Sequence, residues 1–385
     1  MINLYQHKTA INNNASERFL IITFFLGIAL CSVNPWITFF LLTVASIYIF
    51  ITKNNFGVFD FSTILLLTIF AFFAYNSITF GGVAPRLVLW YTIPSLFSFF
   101  IGRNIVKRIN QTENIYFFFF VCAFSLALPN LIITILDIYH NGLINPLRTL
   151  SIIDSDVQKA VTARAIELSL ALSGIAFAFR KDNSLKKTTK WFVIMSIVSF
   201  ICILHYLSRT GVVLFAISII IGALFNKKIS SAVVFLILGI VVYSVLRQIG
   251  IIQLFEEREI VGSSFSDAGG RVERWSYGWK MMLEHPSGYF RETGFSHNFW
   301  LDFATSGGIM SFITLTLFSV IIFIKSIVLF KNKEIPNYLR QVILLFSIIF
   351  LLGFFTEPIH LGETSTMYVY FLFSGMVLQI SKSYK

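Results

Sequence analysis

Residues 298–324 read NFWLDFATSGGIMSFITLTLFSVIIFI, with a single charged side chain, Asp302, close to the start. About 20 predominantly apolar residues cross the hydrocarbon core of a bilayer as a helix, so this run predicts a membrane span. Further apolar runs fall at 19–33, 35–52, 61–80, 83–102, 115–138, 162–179, 191–207, 211–226, 229–246, 337–356 and 364–380. The shorter ones reach across once their flanks are included. The expected fold is an all-α integral membrane protein of about twelve transmembrane helices, one polytopic domain over 1–385.

Composition points the same way. The 385 residues are 56% hydrophobic and 13% charged, whereas a soluble domain carries about 25% charged residues. Mean hydropathy is +0.78, and the 44 Phe suit lipid-facing and interfacial surfaces. A net charge of +11 raises the question of nucleic acid, but the basic residues are scattered among short loops and form no basic domain. Cys31, Cys122 and Cys202 lie inside apolar runs without metal-ligand spacing and read as buried thiols. The run 19–33 follows Lys8 and Arg18 as a signal peptide would. No small-x-small cleavage pattern follows it, and Leu30 before Cys31 does not fit a lipoprotein, so an uncleaved first span is expected.

Charge sets the orientation. With the N-terminus inside, the inner segments hold Lys8, Arg18, Lys53, Arg103, Lys107, Arg108, Arg180, Lys181, Lys186, Lys187 and Lys190. They continue with Lys227, Lys228, Lys325, Lys331, Lys333, Arg340, Lys382 and Lys385, in all 19 of the 30 basic residues. Of the acids, only Glu17, Asp60, Glu113, Asp182 and Glu334 fall inside. The positive-inside rule then makes both termini cytoplasmic.

Two outer segments do not span: a loop near 139–161 and the large loop 248–297 between the ninth and tenth spans. Within the latter, 270–285 (GRVERWSYGWKMMLEH) repeats Val272, Trp275, Trp279 and Met282 at helical spacing and stops at Pro286. Arg271 and Arg274 lie on another face. They suit lipid head groups on an interfacial helix or, as forked donors, a pyrophosphate. The loop ends in GFSHNFWLDFATSGG, which places His297 and Asn298 at the mouth of the tenth helix and leaves Gly307 and Gly308 for close helix packing.

Charged side chains inside a bilayer are costly and mark cavities or partners. Here they fall towards the outer ends of the spans: Arg86, Asp137, Arg164, Glu167, His205, Arg209, Asp302 and Glu357. The cytoplasmic halves carry almost none. Such a one-sided ring describes a cavity open to the outer leaflet, whereas a transporter needs polar sites near the midplane. Milder readings exist for several members. Arg164 and Glu167, three apart, are able to neutralise each other, Asp137 and Glu357 suit solvated helix ends, and Arg86 after Pro85 is able to snorkel.

Three motifs resemble the O-antigen ligase and O-antigen polymerase superfamily of bacterial envelope enzymes. They are Ser-Arg-Thr-Gly at 208–211, the progression Arg271, Trp275, His285-Pro286 in the large loop, and His297-Asn298 followed by nine residues and Gly308. The family usually has Gly, Thr or Tyr three residues after that glycine, and here Ser311 stands there. The resemblance implies a metal-independent inverting glycosyltransferase without a cofactor, multi-pass in the bacterial inner membrane, with its active site and the 248–297 loop periplasmic. Its donor and acceptor would be undecaprenyl-pyrophosphate-linked oligosaccharides, and a chain-length regulator is a further implied partner. His297 would be the general base. Arg209, with Arg271 and Arg274, would hold the pyrophosphate, with Arg86 and Arg164 in support and Glu167 orienting one of them or touching sugar hydroxyls. Neither a metal nor a sugar-nucleotide donor is expected. Ser-Arg-Thr-Gly in place of the Thr-Arg-Ala of an enterobacterial ligase favours a polymerase. A ligase transferring glycan to lipid A-core is the alternative, and a lipid-linked oligosaccharide flippase is the rival from another class.

Reporter fusions test the expected topology. Those near positions 150 and 265 should read periplasmic and those near 185 and 333 cytoplasmic; a cytoplasmic reading at 265 would put the loop on the wrong side of the membrane for a periplasmic donor.

Overall fold

The computed structural model describes residues 18–31, 34–53, 60–80, 85–108, 112–142, 161–180, 185–205, 208–228, 230, 233, 248, 271–288, 296–356 and 364–384. Helix α1 covers Arg18–Ala29. There follow α2 (Pro35–Lys53), α3 (Phe61–Thr79), α4 (Pro85–Arg108), α5 (Thr112–Asn141), α6 (Val161–Leu172), α7 (Lys186–His205) and α8 (Arg209–Phe225). The chain continues through α9 (Arg271–Glu284), α10 (Phe299–Lys331), α11 (Asn337–Thr356) and α12 (Thr364–Ser383). A 3-10 segment, Ser173–Phe179, extends α6. Among the described residues there is no strand. Eleven of the twelve expected apolar runs carry a helix, and the amphipathic run of the large loop forms α9. Of the expected span 229–246 only residues 230 and 233 are described, and most of 248–297 lies outside the described residues.

Among the described residues five helices are long and apolar enough to cross a membrane: Phe61–Thr79, Thr112–Tyr139, Lys186–His205, Phe299–Lys331 and Asn337–Thr356. The outward surface agrees with that. Phe40, Ile51, Phe61, Ile64, Ile78, Leu224 and Ile324 are all exposed, an apolar surface that lipid solvates and water does not. Inside, hydroxyls of Thr92, Ser218, Ser347 and Ser374 donate to the carbonyl four residues back, so polar side chains are satisfied within their own helix. Helices α4 and α12 meet backbone to backbone. Gly102 lies against the Leu372 carbonyl and Gly375 against that of Phe99, with no room for a Cβ on either.

Contacts between helix termini sort them into two ends of one bundle. At the first, Thr112 and Tyr338 hydroxyls meet at 2.7 Å, the Arg180 guanidinium lies 5.0 Å over the Tyr338 ring, and Asn332 Nδ2 donates to Tyr384 O at 3.2 Å. At the second, the Tyr368 hydroxyl donates to Trp90 O at 2.6 Å and Asn76 Nδ2 to Gly307 O at 2.7 Å. The first end is the basic one, and its centre is a buried charge. Arg103 lies on α4 itself and is only 2% exposed, which corrects the expectation of a loop residue and of almost uncharged inner helix halves. It donates to Thr63 Oγ1 at 2.7 Å and pairs with Asp60. Asp60 also caps α3 by accepting from Thr63 N at 3.0 Å, and it accepts from Lys382 Nζ at 2.7 Å.

Burial alone would raise the Asp60 pKa, but hydrogen bonds from Arg103, Lys382 and Thr63 N outweigh it and hold the carboxyl well below the usual range. Because the folded value lies below that of an unfolded aspartate, ~3.9, the stabilisation is complete above about pH 4–5. It is lost only as the pH falls towards the folded value. Asp60→Ala would leave Arg103 buried without its carboxylate, a loss of ~3–5 kcal/mol. We expect a clearly lower thermal midpoint in detergent, largely recovered by adding Arg103→Met. An Asp60→Ala protein that melts like wild type would show that the pair does not tie α3, α4 and α12 together.

Candidate active site

The second end is organised by a break in α10. Gly308 has φ 76° and ψ 177° and divides the helix into a half over 299–307 and a long segment from 309 to 331. Breaking a helix frees backbone groups, and in hydrocarbon each needs a protein partner. Asn76 Nδ2 of α3 donates to Gly307 O at 2.7 Å and Ser77 Oγ to Ser306 O at 3.1 Å. Ser311 Oγ adds a second bond to Gly307 O at 2.7 Å. Ile309 N donates to Pro286 O at 2.8 Å, so the turn after α9 is docked into the break. A Cβ on Gly308 would come within 2.5 Å of that Pro286 oxygen and 2.8 Å of Asn76 Nδ2. The expected close helix packing holds at Gly307, where a Cβ would lie 2.9 Å from Phe73 of α3, and is corrected at Gly308. Gly308 ends a half-helix.

The start of the half-helix is shaped by its own first turn. Asn298 caps it, its side chain accepting from Leu301 N at 3.2 Å. The buried carboxylate of Asp302 accepts from Ser296 N at 2.6 Å and, more weakly, from Asn298 N at 3.4 Å. These two amides flank His297, whose φ of 52° lies in the left-handed region. A side chain there costs roughly 1–2 kcal/mol, although histidine is among the more tolerant residues. Asp302 thus holds a half-buried His297 at a strained position, the kind of outlier that accompanies functional sites. Aromatic packing fixes the half-helix in the bundle, with Phe303 stacked 4.4 Å from Phe73 and Phe299 4.3 Å from Phe354.

Helix α9 lies across this turn. Gly278 and Met282 are its buried positions, and a Cβ on Gly278 would meet Ser296 Oγ at 2.5 Å. Arg271, seven residues before Gly278 and on the same face, is half-buried, whereas Arg274 is exposed, so the two arginines differ in setting. Val272, Trp275 and Trp279 line an apolar cavity of about 620 Å³ together with Asn298, Trp300, Phe312 and Phe355. Trp279 meets Phe312 edge-on at 5.6 Å. Asn298, next to His297, therefore borders an apolar space that suits a hydrocarbon chain.

A second polar cluster joins α5, α6, α7 and α12. Glu167, 1% exposed, accepts from Asn130 Nδ2 at 2.6 Å and from the Ser365 hydroxyl. The expected tie of Glu167 to Arg164 involves a side chain outside the described residues. His205 Nε2 stands 2.6 Å from Asp137 Oδ2, and both side chains are fully buried, so Asp137 is not the solvated helix end that its place near a loop suggests. Arg86 is exposed on the first turn of α4. The backbone places Arg164 on α6 and Arg209 first in α8, while both side chains lie outside the described residues, as does Glu357. The two clusters adjoin through α11, where Gly353 lies against Ile166 and Phe354 against Phe299.

Of the expected site residues, the fold sets His297 on the turn against which α9, the helix that begins at Arg271, packs through Gly278, and sets Glu167 in the neighbouring cluster. Asp302 as the clamp on that turn, and Asn76 and Ser77 as partners of the break, were not foreseen. An acid four residues after an N-cap is a legible signal for the first; no local pattern links residues 76 and 77 to 306 and 307. No protein-family model matches the chain, and no curated protein sequence matches it.

Gly308→Ala should be far more damaging than Gly307→Ala. The former meets a backbone oxygen at a φ/ψ that glycine alone adopts readily, a strain of at least ~1–3 kcal/mol. The latter meets only the Ser311 and Phe73 side chains, at 2.6 and 2.9 Å. Thermal midpoints of the two purified variants check this; equal melting would mean that the break is not required.

Proposed function

We propose that this chain is a glycosyltransferase that polymerises a bacterial surface polysaccharide. In this reading it moves undecaprenyl-pyrophosphate-linked glycan onto the next lipid-linked repeat unit at the outer leaflet of the inner membrane, with twelve spans and the site end periplasmic. The observation that carries it is the His297 turn, clamped by Asp302 and set between an arginine-bearing helix and an apolar cavity.

The donor is already bonded through its anomeric carbon to a good leaving group. The acceptor hydroxyl oxygen attacks that carbon from the opposite face, its proton passes to the His297 imidazole, and the carbon–oxygen bond to pyrophosphate breaks with inversion. Both electrons of that bond leave with the lipid-linked pyrophosphate. Arg271, Arg274 and Arg209 hold its oxygens, and fixed guanidinium donors are most effective where water is excluded. The isoprenoid chain has the apolar cavity between α9, α10 and α11 beside it. Enzyme is favoured over flippase because the described charged side chains gather towards the two ends of the bundle, whereas a carrier of pyrophosphate needs polar surface through its depth.

His297→Asn is the sharpest single test, because asparagine tolerates the left-handed region and removes only the imidazole. Transfer should fall about 10²–10⁴-fold with protein abundance unchanged. His285, exposed just after α9, serves as control, and His285→Ala should keep most activity. Arg209→Lys keeps the charge without the fork and should impair transfer, with Arg209→Ala worse. A His297→Asn enzyme with a full polysaccharide ladder would remove the base from this turn. In a deletion strain, single-repeat lipopolysaccharide marks a polymerase, and long lipid-linked polymer that is never attached marks a ligase.

A further inference from the structure

We propose that the buried Asp137–His205 pair is a positioning device for the turn that carries Arg209, an inference that rests on the pyrophosphate-binding role proposed above for that arginine. His205 is the last residue of α7, and its Nε2 stands 2.6 Å from Asp137 Oδ2 on α5. Both side chains are 0% exposed, so neither reaches a substrate at the site. Three residues further on, Ser208 opens α8. Its amide donates back to Ile203 O of α7 at 3.2 Å, and its hydroxyl accepts from Gly211 N at 3.3 Å. Arg209 is the first residue of α8, so its backbone lies between a pinned helix end and a capped helix start.

The anchor on α5 is itself braced. Asn130, two turns before Asp137 and on the same face, holds Glu167 of α6, which also accepts from Ser365 of α12. One helix thus supplies fixed points for α6 and for the α7–α8 turn. An apolar contact of the same size would bury more cheaply, since taking an acid and an imidazole out of water carries a desolvation cost. A short directional bond, however, admits one geometry, whereas apolar surfaces slide. That difference matters where a guanidinium fork has to meet phosphate oxygens.

The rival is that the pair only joins α5 to α7, and a double-mutant cycle separates the two. Binding of undecaprenyl pyrophosphate is measured on the purified full-length protein in nanodiscs. His205→Ala should weaken it about tenfold, within the range that coupled residues span. His205→Gln, which keeps an N–H donor within reach of Asp137, should stay within about threefold of wild type. In the Arg209→Ala background, His205→Ala should change binding less than about twofold, because the group it positions is gone. The same tenfold loss in that background, or no loss from His205→Ala alone, overturns the inference while the arginine's own effect stands. Arg209→Ala binding as tightly as wild type overturns the role of Arg209, and this inference with it. Should His205→Ala accumulate poorly, Asp137→Leu with His205→Leu leaves no lone buried charge and replaces it in the cycle.

Discussion

Hydrocarbon offers no partner to a backbone N–H or C=O, and the break at Gly308 has to be answered entirely by protein. Its answer joins three parts of the chain. Asn76 and Ser77 come from the end of α3, Ser311 from the next turn of α10, and Pro286 from the turn behind α9. Because Ile309 N bonds to Pro286 O, the amphipathic helix cannot drift from the half-helix without exposing an amide. The 296–298 turn, with His297 in it, is carried on that same half-helix. Position at the site therefore follows from backbone satisfaction at the far end of the half-helix.

Buried charge repeats the logic. Arg103 with Asp60, Asp137 with His205, and Glu167 with Asn130 and Ser365 each join separate helices. Asp302 is the local case, binding two amides on either side of one residue. Each group would be costly alone, and with its partners each fixes a geometry that apolar packing leaves loose. The basic end uses this to lock α3, α4 and α12, and the opposite end uses it to frame a turn and a cavity.

Much of the fold was legible from residues. Apolar runs located eleven of the described helices, because length and hydropathy follow from bilayer thickness. Trp275, Trp279 and Pro286 marked the amphipathic helix and its end, because helical periodicity is local. His297-Asn298 located the turn for the same reason. What stayed hidden was pairing over long separations. Nothing near Asn76 announces Gly307, and nothing near Asp137 announces His205, since such contacts depend on how helices assemble. Gly308 stands out in the sequence, but a glycine that permits close packing and one that ends a half-helix look alike there.

The central claim is that the His297 turn, α9 and the adjoining cavity form one site for a lipid-linked pyrophosphate. A cryo-electron microscopy map of the full-length protein in nanodiscs, saturated with undecaprenyl pyrophosphate, addresses it directly. The account predicts pyrophosphate density between α9 and residues 296–298, with the isoprenoid running along Trp275, Trp279 and Phe312. Density at the basic end beside Arg103 and Arg180, or at mid-depth away from His297, would contradict it.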